Sequence, residues 1–243
     1  MGVPPNDPLA DLLSVVIGPQ SELASTVAPV AVLYQATLVP PKIELLQAWV
    51  PHQPWLGDAD ASTVEVAGAY RFDDPDGEVG IETHLLRTAD GQILQVPVTY
   101  RGSPVDGAES LLIATTQHSV LGERWVYDAC GDPVYARALA TAVLSGSTQA
   151  ELEVVTNVGQ ERRQATTRVS GSGSPNTAIP PIGPVSYLSR GTTTVVRAGN
   201  LELTLFRTVD PHRENGEHGA TQTLEGTWPG HDTPALLALA QIT

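Results

Sequence analysis

Lysine is nearly absent. Of the 13 basic residues in this 243-residue chain only Lys42 is a lysine, and it follows Pro40-Pro41, not a glycine-rich turn. A phosphate-cradling loop or a kinase-type lysine therefore has no candidate. The single cysteine, Cys130, excludes an internal disulfide, so nothing points to an oxidising compartment. Apolar runs of bilayer-spanning length are missing, and the start, MGVPPNDPLADLL, is acidic where a secretory n-region is basic. A cytoplasmic location without a membrane partner is the expectation. Positive charge is scarce as well: the formal net charge is −14, which argues against nucleic acid, because such a partner needs clustered Lys and Arg to displace counterions.

What is present is a globular composition, 41% hydrophobic, with 22 Gly and 20 Pro among many Thr and Val. That mixture favours short strands joined by turns over a helical bundle. The stretch from Ser119 to Gly146 is the expected centrepiece. Trp125 and Tyr127 alternate with Arg124, Val126 and Asp128 as in a strand, and at Asp132-Pro133 the spacing becomes helical. Asp132 suits an N-cap, Pro133 the first helical position and Gly146 the stop, with Tyr135, Leu139, Ala142 and Val143 as the apolar stripe.

In chain order, residues 1–27 form an N-terminal extension with a short helix over Leu9 to Ile17. Pro29 to Val39 reads as the first strand and Lys42 to Val50 as a brief amphipathic helix. Ser62 to Phe72, the hairpin of Val79 to Arg87 with Gln92 to Tyr100, and Ala108 to Gln117 follow as strands. Glu151 to Asn157 and Gln164 to Ser170 are expected to pair across the charged turn GQERR. Residues 171–184, rich in Gly, Ser and Pro, have linker composition. Beyond them Val185 to Arg190, Thr192 to Arg197, Leu201 to Thr208 and Ala220 to Trp228 read as strands, and Pro234 to Ile242 as an apolar tail.

The run Leu46 to Trp55, LQAWVPHQPW, resembles the signature that opens the N-terminal cap of actinobacterial maltokinases: Trp49, Pro51, Gln53 and Trp55 match, whereas His52 and Pro54 stand where arginines are common. Tyr127-Asp128 and the helix begun by Asp132 and Pro133 resemble the family's aspartate-bearing segment, and Thr192 to Arg197 with Leu201 to Arg207 resemble the first strands of its nucleotide lobe. The blocks RFDDPDGEVGIET, VPVTYRGSP and HSVLGERWVYDACGDPVY are similar to stand-alone maltokinase N-terminal cap-like proteins of actinobacteria. The resemblance implies an α+β fold, a cystatin- or monellin-like antiparallel sheet packed on a helix (residues 28–170). A second antiparallel sheet (185–243), like part of a kinase N-lobe, follows. It also implies a departure: Thr204 stands where the nucleotide-contacting lysine would be, and no catalytic lobe follows within the chain.

Other candidates meet plainer readings. Cys130 with His118 and Asp128 has the residue types of a nucleophile set, but a lone cysteine in an apolar segment suits packing. Glu78, Glu82, Glu123 and Asp128 offer carboxylates for glycoside hydrolysis, but acids on strand edges are usually solvated. His212, Glu214, Glu217 and His218 have the composition of a metal cluster in a loop that suits hydration, and the Asp73 to Asp76 run lacks calcium-loop spacing. Arg71, Arg87, Arg101 and Arg124 hold a small anion if they converge, and otherwise pair with carboxylates such as Asp73 or Glu82. No catalytic residue, cofactor or metal is assigned. Two functions survive. One is a non-catalytic interaction or regulatory module of carbohydrate metabolism (trehalose, glycogen or amino sugars), whose partner is a sugar kinase, another carbohydrate enzyme or a second copy. The other is a binder of, or enzyme acting on, a sugar or sugar phosphate, with a pocket around His118, Arg124, Trp125, Tyr127 and Asp128.

Overall fold

The computed structural model describes residues 15–16, 32–34, 37–156, 159–163, 165–213 and 221–243. In chain order the elements are β1 (Val15–Val16), β2 (Val32–Tyr34), β3 (Leu38–Val39), α1 (Lys42–Trp49), β4 (Val64–Phe72), β5 (Gly80–Thr88), β6 (Ile93–Arg101), β7 (Leu112–His118), β8 (Gly122–Asp128) and α2 (Pro133–Ser145). They continue with β9 (Leu152–Thr156), β10 (Gly159–Arg163), β11 (Arg168–Gly171), β12 (Ser186–Arg190), β13 (Thr193–Ala198), β14 (Leu201–Phe206), β15 (Thr208–Val209), β16 (Gln222–Trp228) and β17 (His231–Ile242). The fold is α+β and mostly β.

A seven-stranded antiparallel sheet runs β3-β7-β8-β6-β5-β4, with β15 also paired to β6, and a six-stranded antiparallel sheet runs β11-β16-β17-β14-β13-β12. The helix α2 lies between them. Its apolar residues pack with Tyr70, Phe72, Ile81 and Leu85 of the first sheet and Val196, Leu203, Leu224 and Leu237 of the second. This explains why more of α2 is buried than its predicted stripe: Ala136, Ala138, Ala140 and Leu144 join Tyr135, Leu139, Ala142 and Val143, because a helix between two sheets has two faces to cover. Its ends follow the sequence reading. Asp132 accepts from the Val134 N–H, Pro133 opens the helix, and Gly146 closes it at φ +69°. The shorter α1 covers the opposite face of the seven-stranded sheet, burying Leu45 and Leu46 with Trp55, Leu86, Leu94, Val96, Val98 and Val126.

The expected sheet on a helix and the second antiparallel sheet are both present, and several local readings are corrected. Pro29 to Val39 is not one strand: β2 pairs in parallel with β9 in a small four-stranded sheet, while β3 pairs with β7. Val15–Val16, placed in a helix by pattern, is a strand paired with Val32 and Leu33, and the rest of that predicted helix lies outside the described residues. The GQERR segment is itself β10, registered Gly159↔Thr156 against β9, so only two residues connect the pair. Residues 168–171 pair instead with β16. The predicted apolar tail is β17, a twelve-residue inner strand between β16 and β14, because its alternate side chains face α2 and it has partners on both edges.

Residues 171–184 are linker-like in composition yet packed. The N–H groups of Gly173 and Ser174 donate to the carbonyls of Val143 and Leu144 (3.0 and 2.9 Å), serving the open C-terminal end of α2. Ile179, Ile182 and Val185 lie against the main core. The two sheets also exchange chain: after β14 the backbone crosses at Arg207, and β15 pairs with β6 (Thr208↔Leu94, Val209↔Ile93). Among the described residues no helix is long and apolar enough to cross a membrane.

Candidate functional site

Two buried polar clusters are set on the seven-stranded sheet, and both follow from which strands end where. On one edge of β6, β8 covers Val98 to Arg101 and β15 covers Ile93 and Leu94, so the end of β8 and the start of β15 face a gap. Asp128 closes β8 and Arg207 precedes β15, and their side chains meet there. The guanidinium donates to Asp128 Oδ1 and Oδ2 (2.8 and 2.6 Å) and to Cys130 Sγ (3.1 Å), while its Nε donates to Thr194 Oγ1 (2.9 Å). The ring of Trp55 lies 4.7 Å from the same group. Beside this pair the buried amide of Gln95 donates to the carbonyls of Phe206 and Leu237 (3.0 and 2.9 Å), joining the sheets, and accepts from Tyr70 Oη (2.8 Å). These bonds tie the two sheets together, while Arg207 Nη1 and Trp55 Nε1 are buried without a partner.

The signature residues of the Leu46–Trp55 run lead into that seam. Trp49 and Trp55 pack with centroids 5.9 Å apart, Gln53 Nε2 donates to the Trp49 carbonyl (3.1 Å), and Pro51 sits in the 3-10 turn Val50–His52 between them. Cys130 is wholly buried, and desolvation pushes its thiol far up despite the nearby Arg207. His118 is registered to Gly122, six residues before Asp128, or roughly 20 Å along the strand. The Cys130, His118 and Asp128 set is therefore not assembled.

The second cluster lies under the start of α1. Lys42 Nζ donates to Glu82 Oε2 at 2.6 Å and sits 4.9 Å from the Tyr100 ring centroid; His84 Nε2 is 3.5 Å from both Glu82 Oε2 and Tyr100 Oη. Arg71, opposite Glu82 in the ladder, is buried beside them. Burial draws the Lys42 ammonium down to about 8, with Glu82 opposing and Arg71 adding to the fall. Burial alone would raise Glu82, but Lys42, His84 and Arg71 hold it well below the usual carboxylate range. This cluster escaped the sequence reading, although the signal was present: Glu82 and His84 alternate inside an otherwise apolar strand, and the only lysine lies at a helix start.

The expected pocket residues are not gathered in one concavity. Strand alternation sets Arg124 and Asp128, with His118 of β7, on the α1 face of the sheet, and Trp125 and Tyr127 on the other. Asp128 is held by Arg207, and Tyr127 Oη accepts from the Val105 N–H (3.0 Å). The four arginines do not converge either. Arg101 forks onto Asp132 (2.9 and 2.7 Å), Arg124 donates to the Leu121 carbonyl (2.9 Å), Arg71 faces Glu82 and Arg87 is exposed. Of the four hydrolytic carboxylates considered, Glu82 and Asp128 are each ion-paired, and Glu78 and Glu123 are exposed. Asp74, in the acidic turn, accepts from the N–H groups of Asp76, Glu78 and Val79, which shapes the turn. His212 lies in a turn whose N–H is held by Asp210, while Glu214, Glu217 and His218 lie outside the described residues.

A cleft of 830 Å³ opens elsewhere, where the exit from α2 meets β11 and β16, lined in part by Gln149, Arg168, Ser170 and Thr223. None of the expected pocket residues lines it.

No curated protein matches the chain. Residues 49–132 match the family described as the maltokinase N-terminal cap domain. That span runs from the last residue of α1, through β4 to β8 and Asp128, to the N-cap of α2, and over it the chain is similar to the maltokinase caps.

Proposed function

We propose that this chain is a non-catalytic, maltokinase-cap-related module that works by association, with a sugar kinase or another carbohydrate enzyme or with its own copy. The observation that carries the reading is Thr204. It lies in the middle of β14, paired with Val195 of β13 and Leu239 of β17, at the position where the resemblance would set a nucleotide-contacting lysine. A threonine supplies no positive charge to orient a γ-phosphate. The chain's only lysine is committed to Glu82 on the other sheet. At the seam the Arg207–Asp128 ion pair and the Gln95 amide bonds tie the two sheets together, which suits a rigid scaffold.

The test combines two measurements on the purified chain. MgATP with maltose is expected to give no phosphorylated sugar and no thermal stabilisation. Sedimentation of the chain alone and mixed with a purified maltokinase is expected to show self-association or a complex. Phosphoryl transfer by the chain alone, or a chain that stays monomeric and partnerless in both mixtures, overturns the proposal.

A further inference from the structure

The outer edge of a sheet is a row of unpaired N–H and C=O groups unless something blunts it. The strands that end the two large sheets are β3, β4, β11 and β12, and the first three are blunted. β3 is two residues long and runs into Pro40-Pro41. β4 carries a bulge at Val66–Gly68, and its Arg71 carbonyl accepts from the Ala150 N–H (2.8 Å). At β11 the Val169 N–H donates to Gln149 Oε1 (2.8 Å), and Ser170 bridges Thr148. β12 differs: it pairs with β13 alone, and among the described residues no backbone hydrogen bond joins its outer side to another segment. It also lacks the lysine, proline or bulge that would guard it.

Which groups are open follows from the turn. Gly191-Thr192 is a two-residue loop with Gly191 at φ +53°, so Arg190 and Thr193 form the hydrogen-bonded pair that closes the hairpin. Counting back by two, Leu188 and Ser186 also bond toward β13, and the N–H and C=O groups of Tyr187 and Ser189 point away from it. The exposed side chains between them are large and apolar. Tyr187, 41% exposed, is opposite the buried Val196 on the α2 face of the sheet, and Leu188, 46% exposed, is opposite Val195 on the outer face.

We propose that two copies of this chain associate through β12, edge to edge and antiparallel, joining their six-stranded sheets into one. This takes up the second-copy form of the interaction reading and rests on it. A two-fold pair centred on Leu188 sets Leu188 against Leu188 of the second copy, Tyr187 against its Ser189 and Arg190 against its Ser186. Tyr187 and Ser189 then exchange four N–H···O bonds with the second copy, which satisfies the outward groups. The lengths match, because Pro184 and the Gly191 turn bound both strands alike. Charge fits as well. A chain of net charge −14 repels its own copy over much of its surface, but β12 has no acid, and its one cation, Arg190, lies about 13 Å from its counterpart, beyond a Debye length at physiological salt.

Sedimentation of the wild-type chain, run up to about 0.5 mM because so short an edge makes a transient interface, is expected to show a monomer–dimer equilibrium. Leu188→Lys sets like charges together on the axis and is expected to weaken the dimer about tenfold or more, as is Leu188→Glu, and an equimolar mixture of the two is expected to restore it. Leu188→Cys is expected to form an intermolecular disulfide under mild oxidation, because the Cα atoms of such a non-hydrogen-bonded pair lie about 4.5 Å apart. Val120→Cys, more exposed at 55%, is expected to link far more slowly, and the native Cys130 is buried. A dimer indifferent to Leu188→Lys, or Leu188→Cys linking no faster than Val120→Cys, overturns the proposal. So does a wild-type chain that stays monomeric: if it still forms a complex with a maltokinase, the interaction reading stands and this edge falls, and if it does not, both fall. The wild-type sedimentation and the cysteine pair keep the test intact should Leu188→Lys misfold.

Discussion

Replacing Asp128 by asparagine keeps the shape of the seam and removes its negative charge. Arg207 is 1% exposed and its guanidinium lies 2.6 Å from the nearer carboxylate oxygen. At an effective dielectric of about 20, opposite unit charges at that distance attract by about 6 kcal/mol. The asparagine oxygen retains one hydrogen bond, and the remaining cost is that of a buried guanidinium without its counter-charge, about 3–5 kcal/mol. That is a large share of the roughly 5–15 kcal/mol expected for a folded domain. Urea unfolding followed by tryptophan fluorescence is the assay, its signal summed over four tryptophans, of which Trp55 lies on Arg207. The variant is expected to unfold at lower urea. The double variant Asp128→Leu/Arg207→Met is expected to be more stable than Asp128→Asn, because an apolar pair leaves no stranded charge. A cost below about 1 kcal/mol for Asp128→Asn would refute the view that this pair locks the two sheets together.

Other outcomes follow from the same geometry. Asp132→Ala removes both the α2 cap and the fork to Arg101, so about 2 kcal/mol is expected, a fall of about 4–8 °C in Tm by calorimetry. Gly173→Ala would drive a Cβ into the Leu144 carbonyl, rigid helix backbone with no side chain to swing away, and about 3 kcal/mol or more in urea is expected. Cys130 should resist a thiol reagent at neutral pH in the native chain and react only once urea has unfolded it, because burial raises its pKa and blocks access. Glu82, held below its ordinary 4.5, binds fewer protons folded than unfolded, so its stabilisation is present above pH 4.5 and is lost as pH falls through the folded value. The stability gap between wild type and Glu82→Gln is expected to be wide at pH 7 and to shrink below about pH 4.5 in pH-dependent urea melts.

The sequence by itself determined the parts of this protein whose cause is local. Asp132, Pro133 and Gly146 set the ends of α2 through capping chemistry among near neighbours, and Asp90-Gly91 set the β5–β6 hairpin. The LQAWVPHQPW run pointed to the cap likeness, and its aromatic packing lies within ten residues. Pairing of distant segments was decided only in three dimensions. Pattern alone could not show that Pro234 to Ile242 is an inner strand, that residues 168–171 join β16, or that GQERR is a strand and not a turn, because hydrophobic alternation says which face a residue takes and not which edge it meets. The polar clusters belong to the same class. Arg207 finds Asp128 across 79 positions and Lys42 finds Glu82 across 40, and such pairs form only where strands from remote parts of the chain end side by side. The expected pocket dissolved for the opposite reason: Trp125 and Tyr127 adjoin Arg124 and Asp128 in the chain, and the two-residue period of a strand sends them to opposite faces.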